Sequence, residues 1–212
     1  MKKIKFLIVI PARKNSKRLK NKNLLKINGK NLLEITVNFA LKLKCIQHVL
    51  VSSDIKNIKK HLTQHKKLLI PWVRPKEISQ DKSPTVEVLI HAIKWYEKNF
   101  EKVNYIILLQ TTSPIRSLKL TNEAINTFAK SKKNTLIVKE VKSKIKGKIY
   151  INKKNKIYYP TGSLYIFSRN QLMKKKIYDN NSNIIIDNNY YRNIDIDYKK
   201  DFIRAKEFLE KY

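Results

Sequence analysis

The stretch FLIVIPARKNSKRLKNKN, residues 6–23, decides the fold of this 212-residue chain. Its first five residues are apolar and rich in β-branched side chains, which predicts a short strand buried on both faces. Pro11 lacks a backbone N–H and ends the strand, and the next twelve residues include six Lys or Arg. A helical pattern begins at Leu32. Because ligands of open α/β sheets bind beyond the carboxyl ends of the strands, a cationic loop at that edge suits a polyphosphate.

The rest of the chain repeats this alternation of strand and helix. Predicted strands cover residues 48–54, 68–73, 105–109 and 135–141, and predicted helices cover residues 32–43, 55–65, 84–96, 118–131 and 198–210. The turn signal at residues 152–156, between segments that alternate Ile or Tyr with Lys or Asn, predicts a hairpin. We therefore expect a three-layer α/β fold with a mainly parallel central sheet and a small β excursion in residues 142–167. One domain is expected to span residues 1–212.

Composition argues against a disulfide-bonded protein and against a membrane-spanning protein, and it leaves nucleic-acid binding open. The chain carries 47 Lys or Arg against 16 Asp or Glu, a formal net charge of +31, but the cations are spread over every segment. A spread charge does not by itself identify a specific nucleic-acid site. The single Cys45 excludes an intramolecular disulfide framework and suits a reducing, cytoplasmic location. No apolar run reaches the roughly 18 residues of a membrane span, so no membrane partner is expected.

Two aspartates near the carboxyl end form a candidate metal site. Asp195 and Asp197 alternate with isoleucines in the segment IDID, and in an extended chain this spacing places both carboxylates on one face. Paired carboxylates repel each other unless a cation lies between them, and hard oxygen ligands favour Mg²⁺. The alternative is that Asp197 caps the helix that follows.

Four stretches of the chain resemble motifs of the acylneuraminate cytidylyltransferase family. Residues 10–24, IPARKNSKRLKNKNL, are similar to its first motif, with Lys14 and Asn15 where that family often has Gly-Gly. Residues 74–85 resemble its R-P-x-E-L motif, and residues 108–116 resemble L-L-Q-P-T-S-P-x-R with Thr111 replacing the usual Pro. Residues 194–197 resemble its I-D-I-D motif.

This resemblance implies a Rossmann-like nucleotidyltransferase fold and a specific reaction. In that family the anomeric hydroxyl of a nine-carbon 2-keto sugar acid attacks the α-phosphate of CTP, and pyrophosphate leaves. The implied partners are CTP and such a sugar acid, without specific nucleic acid, and the implied cofactor is Mg²⁺ held by Asp195 and Asp197. The resemblance also allows a homodimer.

The resemblance also implies which residues do what. The implied nucleotide-binding residues are Ala12, Arg13, Asn15, Ser16, Lys22, Asn23, Arg74, Ser83 and Thr85. The implied catalytic residues are Arg13, Lys22, Gln110 and Asp197. The implied contacts to the sugar acid come from Gln110, Thr161 and Gly162.

Two departures from the family keep other functions open. Residues 142–160 are fewer than in the family pattern, and Thr161 stands where a sugar-contacting Asn is usual. A Kdo-type sugar, another acceptor or another nucleotide is therefore an alternative. A non-catalytic nucleic-acid or polyanion-binding protein is a third interpretation, which rests on the +31 charge and on tyrosines interleaved with lysines. The acidic pair counts against that interpretation, because carboxylates have no role in binding a polyanion.

Overall fold

A computed structural model describes residues 4–14, 16–80, 83–144, 150–153 and 155–211. The strands are β1 (Phe6–Ala12), β2 (Lys26–Ile27), β3 (Lys30–Asn31), β4 (Ile46–Ser53), β5 (Leu68–Leu69), β6 (Tyr105–Leu108), β7 (Thr135–Val141), β8 (Ile151–Lys153), β9 (Lys156–Ser168) and β10 (Asn183–Ile186). The α-helices are α1 (Leu32–Leu41), α2 (Thr85–Asn99), α3 (Leu118–Ser131), α4 (Arg169–Met173) and α5 (Lys199–Lys211). Short 3₁₀ helices cover Lys22–Leu24, Ile58–His61 and Lys76–Ile78.

A mostly parallel sheet forms the centre of the molecule. Within the described residues its strand order is β10-β7-β9-β6-β1-β4-β5, with β8 paired to β9 outside this path. Strand β1 pairs in parallel with both β4 and β6, whereas β9 runs antiparallel between β6 and β7. The strand order thus changes direction at β1, and such a switch point is where open α/β sheets bind ligands.

Helices cover both faces of this sheet, which confirms the predicted three-layer architecture. Phe6, Ile8 and Ile10 of β1 face one apolar cluster, to which α1 and α3 contribute. Leu7 and Val9 face the opposite cluster, to which α2 contributes. All five side chains are at most 1% exposed. The uninterrupted apolar run is therefore explained by burial on two faces rather than one.

The carboxyl-terminal helix α5 packs separately, beneath the loops that follow β1. Ala205 of α5 is fully buried in a third cluster that also contains Ile194 and Ile196. These two isoleucines alternate with Asp195 and Asp197, so the isoleucines anchor the segment and the aspartates face outward. None of the helices in the described part of the chain is long and apolar enough to span a bilayer.

Two predicted elements are wrong in extent. The predicted helix at residues 55–65 contains only the 3₁₀ helix Ile58–His61, because Asn57 has φ 57° and this left-handed conformation interrupts a right-handed helix. The predicted strand at residues 68–73 is reduced to Leu68–Leu69 plus an isolated bridge at Val73. Pro71 between them lacks the N–H that a longer ladder requires.

The predicted β excursion is only partly an excursion. The hairpin between β8 and β9 is confirmed, with Lys153 opposite Lys156. Residues 156–168, however, form one long strand of the central sheet, not an appendage. Strand β10, an edge strand of four residues paired with β7, is not predicted by the sequence pattern.

Candidate active site

A cavity of about 250 Å³ opens at the carboxyl ends of β1 and β6. It is lined by Pro11, Arg13, Ser16, Arg18, Lys22, Asn23, Arg74, Ile78, Gln80, Ser83, Thr85, Val88, Gln110, Thr111, Thr112 and Asp197. Nine of the residues predicted for the site are in this lining. Of the other five, Ala12 is buried inside β1, Asn15 lies outside the described residues, and Asp195, Thr161 and Gly162 are placed elsewhere.

Asn23 holds the basic loop closed over the end of β1. Its side-chain N–H donates to the carbonyl of Arg13 at 2.7 Å, and its side-chain carbonyl accepts from the Thr111 hydroxyl after β6. Asn23 is only 4% exposed, so both ends of its amide are engaged inside the protein. The backbone N–H of Lys14 also donates to Asp54 at 2.6 Å, which ties the same loop to the end of β4. Asp54 therefore anchors the loop.

Two cations of the basic loop meet the carboxylate of Asp197. Lys22 Nζ lies 3.0 Å from Asp197 Oδ1, and Arg18 Nη2 lies 2.9 Å from the same oxygen. The Lys22 side chain is 8% exposed and that of Arg18 is 52% exposed. Lys22 is thus a buried, fixed cation, whereas Arg18 lies at the solvent edge of the cavity.

Arg74 is a second buried cation on the other side of the lining. It is 5% exposed, and its Nε donates to the Ser79 hydroxyl at 3.0 Å. Its Nη2 lies 3.8 Å from Asp54 Oδ1. Burial lowers the pKa of Arg74, and the charge of Asp54 opposes that shift. The guanidinium is therefore held in one orientation by neighbouring groups.

The first turn of α2 also faces the cavity, through Thr85 and Val88. Ser83 precedes this helix but does not cap it. Its hydroxyl accepts from the Gln80 N–H at 3.0 Å and donates to the Glu77 carbonyl at 3.2 Å, which closes the preceding loop instead. Pro84 occupies the cap position without a side-chain hydrogen bond. The amino-terminal end of the helix dipole adds positive potential near this part of the cavity.

Gln110 projects from the end of β6 and rests on Gly162 of β9. Gly162 has φ +79°, and a Cβ there would lie 2.5 Å from Gln110 Oε1 and 2.8 Å from Ser113 Oγ. Gly162 therefore supports Gln110 without lining the cavity. The predicted contact of Thr161 with substrate is not supported, because its buried hydroxyl donates to the Ile137 carbonyl and bonds to Ser163. Thr161 is 5% exposed, so these two bonds hold its hydroxyl inside the protein.

Arg116 is a half-buried cation that the sequence motif contains but to which the resemblance assigned no role. Its guanidinium donates to the carbonyl of Gln110, to the carbonyl of Ser163 at 3.0 Å and to the Thr36 hydroxyl at 3.4 Å. Burial lowers the pKa of Arg116. Arg116 therefore joins the strand end that carries Gln110 to β9 and to α1.

The two predicted metal ligands do not line the same cavity. Asp197 lines the first cavity, whereas Asp195 lines a second one of about 370 Å³ together with Lys139, Glu140, Asn188, Tyr190, Asn193, Ile194, Asp201 and Arg204. No group of three His, Cys, Asp or Glu placed to bind a metal ion occurs among the described residues. The alternative prediction, that Asp197 caps the helix that follows, is wrong. Asp201 accepts from the backbone N–H groups of Asp197 and Tyr198 and caps α5.

The charge of the first cavity is strongly positive. Among the described lining residues, the cations Arg13, Arg18, Lys22 and Arg74 face a single carboxylate, Asp197. Arginine and lysine side chains at such a density neutralise phosphate oxygens. The cavity is therefore suited to a polyphosphate.

Comparisons with known proteins agree on one family. The family model described as cytidylyltransferase matches residues 7–212. The chain is 28% identical over 227 residues to CMP-N,N'-diacetyllegionaminic acid synthase of Legionella pneumophila, covering 98% of this chain and 97% of that protein. It is 27% identical to N-acylneuraminate cytidylyltransferase of Escherichia coli O18:K1:H7, covering 98% of this chain and 46% of that protein.

A solved structure supports the same fold. CMP:2-keto-3-deoxy-manno-octonic acid synthetase, solved in complex with CTP, superimposes with a TM-score of 0.71 at 14% identity. The match covers 98% of this chain and 99% of the other. At that identity the likeness concerns the fold alone.

Proposed function

Because the chain belongs to the cytidylyltransferase family, we propose that it joins CMP from CTP to the anomeric hydroxyl of a nonulosonic sugar acid. The observation that carries this proposal is the convergence of four cations and Asp197 in one cavity of the described chain, at the switch point of the sheet. The two named sequence relatives act, by their names, on sugar acids of this class. In this reaction the anomeric hydroxyl loses its proton to solvent and its oxygen forms a bond to the α-phosphorus, while the bond between that phosphorus and pyrophosphate breaks.

Charge neutralisation is the main contribution that these residues would make. Arg13 and Lys22 would bind the triphosphate and stabilise the negative charge that develops on departing pyrophosphate. Lys22 is buried and fixed by Asp197, so little reorganisation would be required when that charge develops. Prearranged charges of this kind usually supply the largest part of catalysis in phosphoryl and nucleotidyl transfer.

The nucleotide base would lie toward Arg74 and the first turn of α2. Arg74 is held by Ser79 and by the charge of Asp54, so its remaining N–H groups have a fixed direction. Thr85 lines the same part of the cavity, and its hydroxyl can accept or donate. Fixed donors and acceptors of this kind orient a pyrimidine and discriminate between bases.

The acceptor would bind between the two cavities. Gln110 lines the first cavity, and Asp195 lines the second, two residues from Asp197 along the chain. Lys139 and Arg204 line the second cavity together with the carboxylates of Glu140, Asp195 and Asp201, so the carboxylate of a sugar acid would have to pair directly with one of these two cations. We therefore propose that the sugar acid lies between Gln110 and the cations of the second cavity, with its anomeric hydroxyl directed toward the first cavity.

Asp197 is the side chain best placed to hold Mg²⁺. It is the only carboxylate among the described lining residues of the first cavity, and Mg²⁺ normally takes one or two carboxylates together with waters and phosphate oxygens. Asp195, exposed and on the same face of the segment, would assist from the second cavity. When bound, the ion would neutralise phosphate charge.

Replacing the carboxylates tests this assignment. We expect Asp197→Asn to lower kcat by about 100-fold or more, since charge at the reacting phosphate is lost, while the circular dichroism spectrum stays unchanged. Asp195→Asn is expected to lower kcat and to raise the KM for the sugar acid. Glu207→Gln, an exposed carboxylate on α5, is the matched control. A folded Asp197→Asn variant with the activity of the control would contradict the proposal.

A further inference from the structure

Arg18 lines the first cavity but belongs to none of the residues predicted for the site. Its guanidinium lies 2.9 Å from Asp197 Oδ1 and 5.4 Å from the centre of the Tyr198 ring. A hydrogen bond to Tyr198 raises the pKa of Arg18, and the charge of Asp197 adds to that shift. Arg18 is therefore a permanent cation that is docked at the edge of the cavity.

The docking of Arg18 duplicates a contact that Lys22 already makes. Both cations approach the same oxygen of Asp197, at 2.9 and 3.0 Å, and two like charges at one oxygen repel each other. Lys22 is enclosed, whereas the Arg18 side chain is 52% exposed. Exposed ion pairs contribute little stability and are screened by salt. Of the two contacts to Asp197, the one made by Arg18 is therefore the easier to break.

Bound phosphates would offer Arg18 a stronger partner than Asp197 does. Guanidinium groups bind phosphate oxygens with two parallel N–H···O bonds, and a triphosphate carries more negative charge than one carboxylate. Since Arg18 already lines the cavity, the exchange requires only side-chain rotation. A divalent cation at Asp197 would favour the same exchange, because it would repel the guanidinium.

We propose that Arg18 alternates between two partners: Asp197 in the nucleotide-free protein, and the phosphates of the nucleotide when the cavity is filled. This inference rests on the proposed function, since it requires the cavity to bind nucleotide phosphates. Substitution of Arg18 should therefore strengthen the binding of a divalent cation and weaken the binding of the nucleotide. Removing the guanidinium takes one of the two cations away from Asp197 Oδ1 and so lowers the repulsion of a divalent cation there, and it also removes a ligand of the phosphates.

The test measures metal and nucleotide binding separately in the full chain. Mn²⁺ binding without nucleotide is followed by electron paramagnetic resonance, and CTP binding in EDTA is followed by calorimetry. We expect Arg18→Gln to bind Mn²⁺ about threefold or more tightly and CTP about tenfold more weakly than the parent. Lys20→Gln removes the same charge from an exposed position of the same loop, outside the cavity lining. It is expected to match the parent in both assays.

Each other outcome overturns the inference in a different way. If Arg18→Gln weakens CTP binding no more than Lys20→Gln does, Arg18 is not a phosphate ligand. Unchanged or weaker Mn²⁺ binding in Arg18→Gln would mean that Arg18 does not compete for Asp197. A parent protein that binds no CTP with or without Mg²⁺ would contradict the proposed function itself, and the inference with it.

Discussion

At the scale of single residues, Gly162 shows how one position fixes a neighbouring side chain of the cavity. Gln110 occupies the space in which any side chain at Gly162 would lie. The chain therefore needs glycine there for two reasons, the positive φ and the close approach of Gln110. Gly29 has a similar φ of +76°, but a Cβ added there would meet nothing within 4 Å. A substitution at Gly29 would therefore introduce backbone strain alone, whereas a substitution at Gly162 would introduce strain and also displace Gln110.

Alanine at these two positions gives a matched prediction. We expect Gly29→Ala to lower the free energy of unfolding by about 1 kcal/mol through backbone strain alone, with activity unchanged. Gly162→Ala should carry that strain and also displace Gln110, lowering kcat by about tenfold or more. Urea unfolding measures the stability of the two variants, and initial rates measure their activity. Equal activity in the two variants would show that the position of Gln110 does not matter.

Lys22 is the cavity residue whose charge we expect to contribute most to the reaction rate. We expect Lys22→Met to lower kcat/KM by about 100-fold, because the buried cation next to Asp197 is lost. Met retains the length of the side chain, so the melting temperature should change little. Lys26→Met, an exposed position just beyond the same 3₁₀ helix, is the control. Parent-like activity in a folded Lys22→Met variant would remove Lys22 from the reaction.

Among the contacts between secondary-structure elements, an ion pair joins α2 to the start of α4. Glu97 accepts two hydrogen bonds from Arg169, at 2.7 and 2.9 Å, and one from the Val103 N–H at 3.1 Å. The hydrogen bond from Arg169 is the largest of the contributions that lower the pKa of Glu97. Since α2 also forms part of the cavity through Thr85, this pair helps to hold a wall of the site.

The pH dependence of this pair has a defined sign. The folded-state pKa of Glu97 lies below its ordinary value of 4.5, so its stabilisation is complete above that pH and is lost as the pH falls through the folded-state pKa. We expect Glu97→Gln to lower the free energy of unfolding by about 1 kcal/mol at neutral pH, with the difference shrinking below pH 4.5. Urea unfolding of Glu97→Gln and of the parent between neutral pH and about pH 3, with Glu207→Gln as control, measures this difference. A constant difference down to about pH 3 would contradict the assignment.

Elements with a strong pattern could be predicted from the sequence, whereas features set by one backbone angle or by tertiary contacts could not. The apolar run of β1 and the spacing of Arg13, Lys22 and Asn23 were sufficient to place the loop over the sheet. The left-handed Asn57 is invisible in a helical pattern, and nothing in the loop distinguishes Arg18 from its neighbouring lysines. Period-two alternation correctly distinguished the two buried isoleucines of residues 194–197 from the two more exposed aspartates. It could not show that Asp195 and Asp197 line different cavities.

Over the whole molecule, the net charge of +31 is far larger than the cavity requires. Four cations among the described residues line the cavity, and the remaining cations are distributed over the rest of the chain. Such a charge attracts any polyanion at low ionic strength. Binding of nucleic acid in dilute buffer would therefore say little about the cavity.

A comparison of salt dependence separates surface charge from the cavity. We expect a DNA duplex to bind weakly, with affinity that falls steeply and is lost by about 0.3 M salt. CTP with Mg²⁺ should still bind at that salt, because the contacts that we propose for it include Lys22 and Arg74, which are buried. Fluorescence anisotropy and calorimetry in matched buffers check this. DNA binding that persists at high salt and is displaced by CTP would place a nucleic-acid site in the cavity.

Pyrophosphate release from CTP and Mg²⁺ with a panel of sugar acids tests the proposed reaction itself. N-acetylneuraminic, legionaminic, pseudaminic and Kdo acids serve as acceptors, and ATP, GTP and UTP replace CTP as controls. We expect release with CTP and at least one nine-carbon acid, and none with the other nucleotides. Release that requires the eight-carbon Kdo acid, or that proceeds equally well with another nucleotide, would refute the assignment of CTP and a nonulosonic acid as the substrates.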